Sequence, residues 1–166
     1  MKEFVKALLS ECKSNIVPQR CDLFGGFVGE WDFEWIDYAG TPRERHLQGE
    51  WIFQWVLEGT AIQDIFICPS REARKKDYQE DAAYATSVRM YNPDTHAWDI
   101  VYVELGSSIR LEARRYGNCI VQTVVGDEGQ RWVFSEITRT SFHWQRLVWK
   151  GGEWVAEVNL YATRRA

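Results

Sequence analysis

From Trp31 onward the chain alternates. Trp31, Phe33 and Trp35 share one face of an extended segment, with Asp32 and Glu34 on the other, and this period of two marks a half-buried strand. After a turn signalled by Gly and Pro in "DYAGTPR", the pattern resumes with Trp51, Phe53, Trp55 and Leu57 on one face. Further extended segments follow in "AIQDIFICP", "YATSVRMY", "AWDIVYVEL", "SIRLEARR", "CIVQTVV", "QRWVFSEIT", "SFHWQRLVW" and "EWVAEVNLYATRR", which makes ten strands. Only the start of the chain departs from this period. Phe4, Val5, Leu8 and Leu9 recur at helical spacing and predict one amphipathic helix that ends before Pro18.

Nearly all the connections are short, and short connections force antiparallel neighbours, because a parallel crossover needs about a dozen residues or more. The order is therefore a meander. A strongly twisted sheet with one apolar face buries that face and removes its edges by closing. The expected fold is all-β: an antiparallel up-and-down barrel of eight to ten strands, with the N-terminal helix capping one end or packing outside. A two-sheet sandwich is the alternative, but it needs long crossing connections, and only the mixed-charge stretch at 68–82 is long enough. One domain spans 1–166, with residues 1–24 as helix and lead-in and 25–166 as barrel.

"GEW" occurs at 29–31, 49–51 and 152–154. Each occurrence reads as a strand start at which Gly permits a bend, Glu faces water and Trp is the first inward residue. On that reading Trp154, Ala156, Val158 and Leu160 face inward. Trp31 and Trp154 then both lie near the seam between the first and last strands.

Composition narrows the function classes. With 20 basic against 24 acidic residues and no basic block, the chain has no electrostatic footprint for nucleic acid. No apolar run reaches the ~20 residues of a membrane helix, and the N-terminus lacks a secretory cleavage pattern, so a cytoplasmic protein is expected. Cys12, Cys21, Cys68 and Cys119 are scattered, with no Cys-x-x-Cys, and read as reduced structural thiols. His46, His96 and His143 are isolated, and His143 faces away from Phe142 and Trp144, so neither a metal nor any other cofactor is expected. The nine Trp, seven Tyr and eight Phe stand out. They either fill the barrel or line a pocket for a flat apolar ligand, and composition does not decide which.

Polar residues in phase with the apolar stripes are the candidate chemistry. Glu136 is in phase with Trp132 and Phe134, and Arg146 with Phe142 and Trp144. With a turn at residues 139–141, Glu136 lies opposite Trp144 and diagonal to Arg146, within ~7 to 8 Å, and an ion pair inside the barrel follows. Either Gln63 or Asp64 must face inward, and the pattern does not choose. Arg89 shares its face with Ser87 and Tyr91.

"FVGEW" at 27–31 resembles the Gly-x-Trp signature of the calycin superfamily, which includes lipocalins and fatty-acid-binding proteins. In lipocalins an Arg from the last strand covers that Trp, and "YATRR" offers Arg164 or Arg165 in the matching place. The wider set of "VGEW", "GEWIFQWVLEGTAIQD", "YNPDTHAW", "RWVF" and terminal "TRR" is similar to a bacterial family of lipocalin-like barrels whose biochemical role is unassigned. The chain departs from nitrobindin-type haem barrels, which carry spaced glycines where it has "DFEWIDYAG". It also lacks the helical pair and the Arg-x-Tyr clamp of fatty-acid-binding proteins. The resemblance implies a fold and an internal pocket, not a substrate.

The leading expectation is a binding protein for a small apolar, aromatic or acyl molecule with one polar or anionic group. Trp35, Trp51, Phe53, Trp55, Gln63, Arg89, Trp132, Glu136, Trp144 and Arg146 are the candidate lining, and Trp31 with Arg164 the structural seam. Two alternatives stand beside it. One is a cyclase or isomerase using Glu136 as acid and base; the other is a filled barrel acting as an interaction partner or homodimer.

Overall fold

The computed structural model describes residues 2–166. Ten strands run in chain order: β1 (Gly29–Asp37), β2 (Arg45–Val56), β3 (Ala61–Cys68), β4 (Ala83–Asn92), β5 (Ala97–Glu104), β6 (Ser107–Tyr116), β7 (Cys119–Val124), β8 (Gln130–Ser135), β9 (Ser141–Lys150) and β10 (Glu153–Arg164). Each pairs antiparallel with its neighbour in sequence, and β1 pairs with β10, so the meander closes into a barrel without a free edge.

One end of the barrel is sealed. The segment after the helix tracks the end of β2, with Ser10 N–H donating to Trp55 O at 2.9 Å and Ser14 N–H to Gly59 O at 2.9 Å. The chain then turns beneath the barrel and pushes Val17, Leu23, Phe24 and Phe27 into it. Phe27 lies 4.8 Å from Phe134 and 5.0 Å from Phe142 between ring centroids, and Phe24 lies 5.3 Å from Trp98. The helix α1 (Lys2–Leu8) itself seals nothing: none of its residues is buried, and Phe4 and Val5 face solvent. The lead-in, rather than the helix, is the plug.

The three Gly-Glu-Trp occurrences turn out to have three different settings. At β1, Trp31 is the inward residue and Gly29, with φ of 129°, leaves room for Arg164, whose Nη1 would lie 2.6 Å from an added Cβ. The second occurrence lies in the middle of β2, not at its start. There Glu50 does not face open water, because Arg71 and Arg165 cover it. Gly49 pairs with Phe33, whose ring lies across it, and a Cβ there would come within 2.1 Å of that ring. Gly49→Ala should therefore cost ~1 to 3 kcal/mol by overpacking, read as an earlier urea midpoint with an unchanged slope.

The third occurrence corrects the expected inward run on β10. A register shift between Ala156 and Val158 leaves Glu157 as an extra residue, and a bulge of this kind reverses the phase of everything before it. Val158 and Leu160 face inward opposite Arg146 and Trp144, but Trp154 pairs with Trp149 on the outside. The Trp154 ring packs against Trp149 and under the Arg131 guanidinium, 4.1 Å away. Trp31, which pairs with Arg164 at the far end of β10, is nowhere near it. Leu57 also leaves the predicted stripe. It sits at φ of 53° in the turn after β2 and is exposed.

Candidate functional site

The opposite end of the barrel is open, surrounded by the turns at 38–44, 105–106, 125–129 and 151–152 and the loop at 69–82. Inward positions of the strands descend from this mouth in tiers. Just inside it, a vestibule of about 250 Å³ is bordered by Asp37, Arg45, Cys68, Asp81, Tyr102, Glu104 and Arg146. Below it an inner chamber of about 110 Å³ is walled mainly by aromatic rings, those of Trp35, Trp51, Phe66, Tyr102, Trp132 and Trp144. The two spaces share Trp35, Phe66, Tyr102, Glu104 and Arg146. Together they reach the lower edge of small-molecule pockets, ~300 Å³. The barrel is thus stuffed in its sealed half and lined in its open half.

Aromatic geometry shapes the chamber. Trp35 and Trp144 stack at 6.2 Å with planes 27° apart, Trp51 meets Trp144 edge to face at 6.2 Å, and Phe66 meets Trp51 edge to face at 5.1 Å. The indole N–H groups of Trp35, Trp51 and Trp144 are shielded from solvent and have no hydrogen-bond acceptor among the described residues. A buried donor without a partner costs ~1 to 3 kcal/mol, so three in one chamber demand a reason.

On the facing wall lies a charge pair that the alternation left undecided. Asp64, not Gln63, points inward and is fully buried, while Gln63 faces outward and donates to Thr86 at 3.0 Å. Asp64 Oδ1 accepts the Ser87 N–H at 3.1 Å, and Oδ2 accepts from Arg89 Nη1. Arg89, 1% exposed, also donates from Nε to Gln122 Oε1 at 3.4 Å and lies 5.0 Å from the Phe24 ring. Ser87 and Arg89 belong to the chamber lining.

The placement of the expected residues is mixed. Trp35, Trp51, Arg89, Trp132, Trp144 and Arg146 line the chamber. Phe53 and Trp55 belong instead to the packed half, Phe53 against Phe27 and Trp55 against Trp98. Glu136 is exposed, at φ of 49°, in the turn beyond β8 at the sealed end. That turn begins earlier than expected, so Phe134 pairs with Trp144 and Trp132 with Arg146, and no Glu136–Arg146 ion pair forms inside the barrel. Arg146 instead has Glu157, the bulge residue, at 3.5 Å. The seam residues are in contact: the Arg164 guanidinium carbon lies 4.2 Å from the Trp31 ring centroid.

Ser87, Tyr102, Glu104 and Gln122 are site or near-site residues that sequence reasoning did not single out, and Asp64 was named there only as the alternative to Gln63. Tyr102 and Glu104 continue the phase of Trp98 and Ile100, and Gln122 that of Ile120, so the signal was present in the alternation. Burial, with the negative charge of Glu104 adding to it, holds the Tyr102 phenol above its ordinary value, so it remains a neutral O–H group. Burial likewise pushes the Cys68 thiol up to about 12, which makes it a poor nucleophile.

The loop at 69–82 is tied to the barrel on both flanks. Arg45 bridges Asp37 on β1 and Asp81 on the loop, at 2.5 and 2.9 Å. Glu50 accepts from Arg71 N and Nε at 3.1 and 2.5 Å and from Arg165 Nη2 at 2.9 Å. The Arg71 side chain, followed by Arg165, holds the Glu50 carboxyl at about 2 against an ordinary 4.5. Because the folded value is depressed, this contribution is complete above pH 4.5 and is lost as pH falls towards 2. Acid titration of the melting temperature should therefore flatten across that window in Glu50→Gln.

A search of solved structures finds a similar fold. Rv2717c from M. tuberculosis, a crystal structure, superposes with a TM-score of 0.58 over 93% of this chain and 99% of its own, at 9% sequence identity. At that identity the likeness shows the barrel fold alone. No protein-family model and no curated protein matches the sequence. Among the described residues no helix is long and apolar enough to cross a membrane, and all four cysteines are free.

Proposed function

We propose that this barrel is a calycin-type small-molecule binding protein, taking an apolar, aromatic or acyl ligand with one polar or anionic group through its open mouth. The observation that carries the reading is the inner chamber: four tryptophans around one space below the mouth, three of them with indole N–H groups that have no partner among the described residues. Arg146, shared by chamber and vestibule and only loosely held by Glu157, is the anchor for a ligand's anionic group. The Gly29–Glu30–Trp31 start with Arg164 over the indole supports placement in the calycin superfamily.

A thermal-shift and tryptophan-fluorescence screen of fatty acids, flat aromatics and polyketide-like acids tests the reading. A true ligand should quench the emission and, at 100 times its dissociation constant, add ~2.7 kcal/mol to stability by mass action. Arg146→Met should weaken an anionic ligand by about tenfold. If no compound shifts the melting temperature, the reading fails. A second reading, association with another copy of the chain, is favoured by the apolar groove outside the barrel lined by Ile65, Tyr84, Val103 and Leu105. Sedimentation of a pure monomer at high concentration would dismiss it.

A further inference from the structure

The residues that line the inner chamber leave three indole donors without an acceptor among the described residues. Trp35, Trp51 and Trp144 offer N–H groups that only donate, and Arg89 and Arg146 only donate as well. Trp51 and Trp144 are 4% and 6% exposed, and the indole nitrogens of all three tryptophans are shielded from solvent. Asp64, the acid nearest the chamber floor, has both carboxylate oxygens engaged, by Ser87 N–H and by Arg89. Among the described residues the only carboxylate in the lining is that of Glu104, and it lies at the mouth. The other acceptors in the lining, on Ser87, Tyr102 and Gln130, do not bond to the three indoles either.

The chamber is also balanced in charge. Asp64 cancels Arg89 at ion-pair contact. A carboxylate pushed to the floor would pay the desolvation cost of a full charge with no free cation to offset it. An anion near the mouth would instead find Arg146, whose nearest acid, Glu157, is shared with Lys150 at 2.9 Å. A neutral oxygen acceptor meets no such obstacle. It would satisfy indole donors that are otherwise buried without partners, and the cost of leaving them so is what makes a polar site selective.

We propose that the inner chamber recognises a neutral carbonyl-type acceptor on a flat unsaturated body, inserted head first, with any anionic group of the same ligand left at the mouth on Arg146. This deepens the binding-protein reading and rests on it. The stacked and edge-to-face tryptophans must shift to admit the head, because their N–H groups are shielded from solvent. Ser87 and Arg89 form the polar floor behind it.

Three compounds of one shape separate the possibilities: 2-acetylnaphthalene, 2-ethylnaphthalene and 2-naphthoate, titrated against the full chain by tryptophan fluorescence and by NMR of the 15N-labelled indoles. The ketone should bind at least about tenfold more tightly than the hydrocarbon, and the indole proton signals of Trp35, Trp51 and Trp144 should move downfield with the ketone only. In Trp144→Phe, and separately in Trp51→Phe in case the first misfolds, the ketone's advantage should shrink while hydrocarbon binding persists. Arg146→Met should weaken 2-naphthoate and leave the ketone unchanged. A hydrocarbon that binds as tightly as the ketone overturns the acceptor-head proposal while leaving a ligand site in place. So does a naphthoate that binds best of the three and ignores Arg146→Met. If none of the three binds, the binding-protein reading falls, and this proposal falls with it.

Discussion

Asp64→Ala should lower the unfolding free energy by ~3 to 5 kcal/mol, because it strands a guanidinium in the barrel interior. Arg89 is 1% exposed, and its other polar partner, Gln122, is a neutral amide at 3.4 Å. Its charge then depends on one carboxylate. The Ser87 N–H, which bonds to Asp64 Oδ1, loses its acceptor in the same substitution. Replacing both ends of the pair, as in Asp64→Leu with Arg89→Met, removes the uncompensated charge and should restore stability to within ~1 to 2 kcal/mol of the parent, or exceed it. Equilibrium urea unfolding of the two single variants and the double variant completes the cycle. Additive losses would mean that the two side chains do not act as a pair, and the electrostatic account of the barrel interior would have to be abandoned.

Trp31→Ala is the second large effect, ~3 to 5 kcal/mol, and its cause is packing rather than charge. The indole is fully buried, lies 4.7 Å from the Phe142 ring, and donates its N–H to Phe27 O at 2.8 Å, so it joins β1 to the plug at the sealed end. Arg164 covers its outer face and donates to Gly26 O, Val28 O and Arg139 O at 2.6, 2.7 and 2.7 Å. Arg164→Ala should cost less, ~1 to 2 kcal/mol, since the cation–π attraction is modest and the freed carbonyls are partly solvated. A loss below ~1 kcal/mol for Trp31→Ala would remove the residue from its structural role. Neither residue lines the chamber, so ligand affinity per folded molecule should be unchanged in both.

The fold was largely legible because strand alternation and turn chemistry are local. Ten runs of period two joined by short turns leave little but a meander, and a meander with one apolar face closes. The site was legible only in part. Trp35, Trp51, Trp132 and Trp144 announce themselves as inward aromatics, yet the same alternation puts Phe53 and Trp55 on the same stripe, and these pack in the sealed half instead, Phe53 against Phe27 and Trp55 against Trp98. Depth along the barrel axis separates the two groups, and alternation carries no depth. Asp64 was ambiguous against Gln63 for a related reason: in "AIQDIFI" apolar residues occupy both faces, so phase alone has no reference.

What the sequence by itself determined is the strand count, the antiparallel order, the closure, and the inward phase of each strand whose pattern is unbroken. Tertiary structure decided the rest. The extra residue Glu157 turns Trp154 outward, and a one-residue insertion in a period of two is visible only once β10 is laid against β9. Glu136 leaves the interior because β8 stops at Ser135 and the chain turns early, which moves Arg146 opposite Trp132. The pairing of Asp64 with Arg89 joins residues 25 apart in sequence, and the convergence of three unpartnered indoles joins β1, β2 and β9 across the barrel axis. Such contacts depend on register and closure, which sum small local choices over the whole sheet, and no single stretch of sequence contains that sum.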